Sequence, residues 1–286
     1  MVNTSLPSIV GVLGGGRMGA GIAHAFLTSG AEVVVVERDD ESAAAARERV
    51  LRDVSGSVER GKVDGSVDDY AAKLTVTTEH SDFANAGLVI EAVPEDFDLK
   101  VSSLQAVEAH LGDDAYLASN TSSMSINGLA EKLQRPQNFC GLHFFNPVPA
   151  SKLVEVVIGT QTSQQLKAGT AQWVEGIGKT AVTVNDAPGF ASSRLGVALG
   201  LEAIRMVEEG VASAEDIDNA MVLGYKHPIG PLALTDIVGL DVRLGIAEYL
   251  EEKLGPRFAP PQLMRDMVER GELGRKSGKG FYTYDD

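Results

Sequence analysis

Six residues near the start of the chain, Gly14-Gly15-Gly16-Arg17-Met18-Gly19, constrain the fold more than any other feature. They satisfy G-x-G-x-x-G between a short apolar run, Ile9 to Leu13, and a helical stretch from about Arg17 to Ser29. In that setting glycines permit a tight turn, let a pyrophosphate approach the backbone, and let helix pack closely on strand. The helix N-terminus adds unpaired N–H groups and the positive end of its dipole. The pattern alone is weak. Here a second apolar run, Glu32 to Val36, follows the helix and leads into Glu37, 18 residues beyond Gly19. An acid at that place accepts hydrogen bonds from the adenosine ribose hydroxyls and repels a 2′-phosphate, so NAD is expected over NADP. Arg38 beside it works against that repulsion, and a merely solvated strand-end acid is the plain alternative for Glu37.

Further strands are expected at Leu74–Thr77, Leu88–Ala92, Tyr116–Ser119, Asn138–Phe144, Leu153–Ile158 and Ala181–Val184. Helices are expected over Asp39–Arg60, Phe97–Leu111 and Gln164–Gly176. Apolar strands without polar alternation, interleaved with helices, indicate an α/β, Rossmann-like, doubly wound parallel sheet covered on both faces. The pattern changes at Asp186-Ala187-Pro188-Gly189, a turn-rich break. Beyond it the text is helical: Phe190–Glu209, Ser213–Leu223, Leu232–Leu254 and Pro260–Glu269, with one late strand candidate at Phe281–Tyr284. The expected domains are a nucleotide-binding domain over 1–187 and an all-helical domain over 188–286.

The formal net charge of −15 makes nucleic acid and anionic membranes poor partners. No apolar run approaches ~18 residues, so no membrane span is expected. The N-terminus lacks the basic region of a signal peptide, and one cysteine excludes an internal disulfide framework. A cytoplasmic protein is expected. Cys140 sits in the apolar run FCGLHFF and reads as a small buried hydrophobe.

The chemistry lies in Gly141 to Val156, GLHFFNPVPASKLVEV. His143 ends one apolar strand and Glu155 lies inside the next, KLVEVVI. A buried acid needs a partner. These are the two polar anomalies noted in adjacent strands, and each explains the other. A carboxylate beside an imidazole fixes its tautomer and favours its charged form, which makes a proton-transfer device. A core histidine bonded to backbone is the plainer alternative. Ser119-Asn120-Thr121-Ser122-Ser123 follows another strand end and places hydroxyls at the same edge, with a helix cap before Ile126 as its plain reading. His24, His80, His110 and His227 read as structural or solvated, and no Cys/His/Asp cluster has metal-ligand spacing.

The chain resembles the short 3-hydroxyacyl-CoA dehydrogenases, particularly the bacterial 3-hydroxybutyryl-CoA type. The resemblance rests on GGGRMGAGIA, VIEAVPEDFDLK, ASNTSS, GLHFFNPVP with KLVEVV, DAPGF, EEGVASAEDID, GPLALTDIVGLD and GRKSGKGFY. It implies a Rossmann domain, a helical domain that builds a homodimer, and an acyl-CoA substrate. It also implies site roles: His143 as catalytic base, Glu155 as its partner, and Ser122 on the substrate oxygen. Asn146 and Glu95 fall on the nicotinamide side of the cofactor, and Lys100 and Lys276 match cofactor-binding lysines. Two positions depart from the family pattern. Ser193, in PGFASSR, stands where an asparagine facing the active site is usual. Asp53 stands where a serine contacts CoA, while Arg60 keeps the charge of a CoA-binding lysine. Arg49 and Arg52 are candidates to assist, or else a solvated helix face.

The expected reaction is interconversion of (S)-3-hydroxyacyl-CoA and 3-oxoacyl-CoA with NAD(H). Two rivals stay open: a dehydrogenase of another 3-hydroxy acid, and a non-catalytic NAD-binding regulator. Leu195, Leu199, Ile204 and Val207, at helical spacing in a domain of ~100 residues, are expected to leave apolar surface for a second copy to cover.

Overall fold

The computed structural model describes residues 6–284. Their contacts divide into two units, Met1–Asp186 and Ala187–Asp286.

The first unit is built on β1 (Ile9–Leu13), α1 (Arg17–Thr28), β2 (Glu32–Val36), α2 (Asp40–Glu59), α3 (Val67–Ala71), β3 (Leu74–Thr77), β4 (Leu88–Glu91), α4 (Phe97–Glu108), β5 (Tyr116–Ser119), α5 (Ile126–Ala130), β6 (Phe139–Phe144), β7 (Leu153–Ile158), α6 (Gln164–Gly176) and β8 (Thr180–Asn185). The eight strands form one sheet in the order β3-β2-β1-β4-β5-β6-β7-β8. Strands β1, β4 and β6 are almost wholly buried, as their uninterrupted apolar sequences require when helices cover both faces. Val10, Val12, Val33, Val35, Ile90 and Phe144 pack with Ile22, Phe26, Val50 and Trp173 into the main core.

The doubly wound parallel sheet expected from the sequence is present, with one antiparallel pair in it. Strand β7 runs antiparallel to β6. Residues 145–152 join them directly, and that link is too short for the crossover of a dozen or more residues that parallel neighbours need. The consequence is chemical. In this register His143 lies opposite Glu155, and side chains directly opposite in an antiparallel pair share a face ~5 Å apart.

The second unit contains α7 (Ser192–Glu208), α8 (Ala214–Asn219), α9 (Pro231–Val238), α10 (Leu240–Leu254) and α11 (Gln262–Glu269). Val197, Leu201, Ile204, Leu232, Leu250 and Met264 form its core. Three expectations are corrected here. The helix expected over Leu232–Leu254 is two helices, broken at Gly239, whose φ of 103° no helix accommodates. Phe281–Tyr284 form no strand, because Asp236 takes their hydrogen bonds: its carboxylate accepts from Phe281 N (3.0 Å), Tyr282 N (2.9 Å) and the Tyr284 hydroxyl (3.0 Å). Ile204 and Val207 belong to the internal packing of the unit, whereas Leu195 is 70% exposed.

Candidate active site at the carboxyl edge of the sheet

The glycine loop connects β1 to α1 where the parallel strands end. Gly14 has φ of 90°, a conformation that L side chains rarely adopt, and a Cβ on Gly19 would lie 1.7 Å from the Gly14 carbonyl oxygen. A Cβ on Gly16, in contrast, would meet nothing within 4 Å. The loop is therefore closed on its inner side and open on its outer side, where α1 begins with no side-chain cap. Uncapped N–H groups facing open space fit the pyrophosphate of a dinucleotide. Glu37, at the end of β2, reaches the same loop: its Oε1 accepts from Gly15 N at 2.7 Å. The Arg49 guanidinium donates to the Gly15 carbonyl oxygen (3.2 Å) and so belongs to the loop's support. Arg17 is exposed and Met18 half-buried at the helix start. These residues fit NAD as the cofactor.

His143 is 6% exposed and Glu155 1%. His143 Nδ1 lies 2.8 Å from Glu155 Oε2. An ionised carboxylate accepts only, so in this pairing Nδ1 carries the proton and Nε2 is the ring nitrogen whose lone pair could accept another. The Phe145 ring, its centroid 4.4 Å from that of the imidazole, packs beside it. Asn120, at the end of β5, accepts from Phe144 N through Oδ1 (2.9 Å) and ties β5 to the His143 strand.

A second buried ion pair lies at the ends of β4 and β5, and the sequence reading missed its acid. Glu91 is fully buried and Lys100 is 1% exposed. Lys100 Nζ donates to Glu91 Oε1 (2.7 Å) and to the Val93 carbonyl oxygen (3.0 Å), and lies 3.3 Å from Glu95 Oε2. Glu91 Oε1 also accepts from Val93 N (2.7 Å), and Oε2 from the Ser119 hydroxyl (2.6 Å). Glu95 Oε1 accepts from the Thr121 hydroxyl (2.5 Å) and Ser122 N (2.9 Å). Burial works to raise the Glu95 pKa, but the Lys100 charge and the bonds from Thr121 and Ser122 prevail and hold it below the usual carboxylate range. The Lys100 ammonium is thus held among these oxygens, beside the expected cofactor-side acid Glu95. The one signal in the sequence was an acid closing the apolar run of VIEAV, and its place at the strand end left a solvated terminus as an equal reading.

The other expected residues are distributed as follows. Ser122 is half-buried, and the helix after it is capped by Ser125, whose hydroxyl accepts from Gly128 N. Asn146 is exposed on the link between β6 and β7. That link is clamped by Lys179, which donates to the Val148 and Ser151 carbonyl oxygens at 2.6 Å each and whose pKa burial lowers. Arg60 ends α2 beside a shallow depression shared with Arg52, Asp53 and Glu59. In the second unit Ser193 lies in the first turn of α7, and Lys276 pairs with Asp241 at 2.6 Å. Cys140 is buried, which pushes its thiol pKa up to about 12 and leaves it inert. His24 is buried against the Ser57 hydroxyl (2.9 Å). Among the described residues no group of three or more His, Cys, Asp or Glu could hold a metal ion.

Comparison with known proteins agrees with this geometry. Residues 9–187 match the family model described as 3-hydroxyacyl-CoA dehydrogenase, NAD binding domain. Residues 189–284 match the C-terminal domain of the same family. A 3-hydroxybutyryl-CoA dehydrogenase of Mycobacterium tuberculosis is 44% identical over 279 residues, covering 96% of this chain and 98% of its own. The mitochondrial hydroxyacyl-coenzyme A dehydrogenase of Sus scrofa is 38% identical over 284 residues, covering 96% of this chain and 90% of its own. The crystal structure of (S)-3-hydroxybutyryl-CoA dehydrogenase from Ralstonia eutropha superimposes with a TM-score of 0.93 at 39% identity, covering 98% of this chain and all of that one. With the glycine loop, the His143–Glu155 pair and both family models accounted for, the chain belongs to the 3-hydroxyacyl-CoA dehydrogenase family.

Proposed function

We propose that this chain interconverts (S)-3-hydroxyacyl-CoA and 3-oxoacyl-CoA with NAD(H), with 3-hydroxybutyryl-CoA as its substrate. The observation that carries the reading is the buried contact between His143 Nδ1 and Glu155 Oε2 at 2.8 Å, on the strand pair beside the glycine-loop half of the sheet. Bound at the glycine loop, NAD would supply the acceptor for the hydride that leaves the carbinol carbon. His143 removes the hydroxyl proton at Nε2, and Glu155 stabilises the imidazolium through the Nδ1–H bond. In reduction the same imidazolium returns the proton to the substrate oxygen. Ser122 would hold that oxygen, Glu95 and Asn146 would line the nicotinamide side of the bound cofactor, and Glu37 would hold the adenosine ribose. Arg60 serves the CoA portion.

The reading places the chain in the cytoplasm, where its single thiol stays reduced, and makes it a homodimer through the second unit. Supporting the dimer, Leu195, Leu223, Tyr225, Ile237, Val238 and Val242 of that unit are 40–75% exposed. No helix among the described residues is long and apolar enough to cross a membrane. Acetoacetyl-CoA should support NADH oxidation at 340 nm, and free acetoacetate should support far less. Equal rates with both would reject a CoA ester as substrate, and a monomer by light scattering at micromolar concentration would reject the dimer.

A further inference from the structure

We propose that Glu91 is a positioning residue that, through Lys100, fixes Glu95 and the segment carrying Ser122 in the arrangement the reaction needs. This rests on the dehydrogenase reading above and adds to it a residue that touches neither substrate nor cofactor.

Three observations carry it. First, the pair is too buried to be explained by stability. Bringing a carboxylate and an ammonium out of water is expensive, and apolar replacements of such pairs are often neutral or stabilising. Second, the pair sits at a junction. Glu91 is the last residue of β4, in register with Leu13 before the glycine loop on one side and with Ser119 of β5 on the other. Third, its bonds lead outward to the edge of the sheet. The Lys100 ammonium donates to Glu91 Oε1 and the Val93 carbonyl oxygen and is ion-paired with Glu95 Oε2. Glu91 Oε2 holds Ser119, whose oxygen accepts from Thr121 N at 3.2 Å. Glu95 Oε1 then binds the Thr121 hydroxyl and Ser122 N. Two loops from separate strands, 92–96 and 120–123, are thus fastened to one buried charge pair. If the pair is lost, Glu95 loses its cation and Ser122 loses its fixed backbone anchor, while the glycine loop and Glu37 are untouched. Turnover falls further than cofactor affinity, because the glycine loop and Glu37 still hold the pyrophosphate and ribose ends while Glu95 loses its fixed place.

The test uses the full chain with Glu91→Gln/Lys100→Met, which removes both charges at near-constant shape. Hydrogen exchange, melting temperature and steady-state kinetics with NADH and acetoacetyl-CoA are compared with wild type. The expected result has four parts: a melting temperature close to wild type, faster amide exchange over residues 120–123, kcat lower by roughly 10- to 100-fold, and a KM for NADH that rises by a smaller factor than kcat falls. Wild-type exchange over 120–123, or wild-type kcat in the folded double variant, overturns the proposal. Should that variant fail to fold, Ser119→Ala leaves the ion pair in place and removes only its link to β5. Faster exchange at Thr121 with kcat lower by about threefold or more then supports the proposal, and wild-type values for either overturn it. A wild-type chain with no turnover would sink the dehydrogenase reading alone, since the exchange measurement decides the positioning claim without catalysis.

Discussion

The His143–Glu155 pair and the Glu91–Lys100 pair are both buried, both between 2.7 and 2.8 Å long, and only two strands apart in the sheet. Their chemistry differs. An imidazole gains and loses its proton near neutral pH, so its charge can change during a reaction. A lysine keeps its charge far above neutral pH unless burial forces it off. The Lys100 ammonium also donates to two neighbouring oxygens and is ion-paired with a third. One pair is suited to moving a proton and the other to holding two loops still. Burial and distance alone would not separate the roles, whereas the type of base and the number of oxygens gathered around it do.

The largest expected effect comes from breaking the rigid pair on one side. Glu91→Ala leaves the Lys100 ammonium buried with no carboxylate on its strand side, a loss of about 3–5 kcal/mol of stability. Denaturant unfolding that shows less than about 1 kcal/mol would contradict the comparison. Glu155→Gln is expected to be milder for the fold, because the imidazole can stay neutral when its acid is gone. The same change should lower kcat by about 10- to 100-fold, the value of one hydrogen bond to a charged group. A Glu155→Gln enzyme with wild-type turnover but a collapsed melting temperature would reverse the two assignments.

Away from both pairs, Glu37→Ala removes the acceptor of Gly15 N and the charge that faces a 2′-phosphate. KM for NADH should rise by about tenfold and the preference over NADPH should narrow. An unchanged NADPH-to-NADH ratio of kcat/KM would place the ribose elsewhere. Ser193 is expected to matter least: Ser193→Ala should lower kcat/KM for acetoacetyl-CoA by about 5- to 10-fold, within the range for one polar contact, and Ser193→Asn should be tolerated. Wild-type kinetics in both variants would remove position 193 from the site.

The same contrast explains what was legible in the sequence. His143 and Glu155 stood out because both interrupt apolar strands within one short stretch. Their pairing needs the antiparallel turn of residues 145–152, which periodicity in a mostly parallel fold does not reveal. Glu91 was hidden because an acid at the end of an apolar strand also reads as a solvated terminus, and Lys100 lies in a helix where exposed lysines are ordinary. Only the path of the chain from β4 into α4 brings them together. The glycine loop was legible because backbone conformation, at Gly14 above all, leaves few residue choices. In the second unit the helices were legible, but the break at Gly239 was not, since one glycine in a long apolar helical pattern is usually tolerated. Asp236 likewise drew the aromatic tail into its own hydrogen bonds, and no local pattern announces a bond across 45 residues.

The most direct test of the account is the decay of NADH absorbance at 340 nm with acetoacetyl-CoA, measured for wild type and His143→Ala at equal cofactor occupancy. The account predicts steady decay with wild type and a kcat lower by roughly 10²–10⁴-fold in the variant, with NADH binding unchanged by fluorescence. Decay at the same rate in both proteins would contradict it.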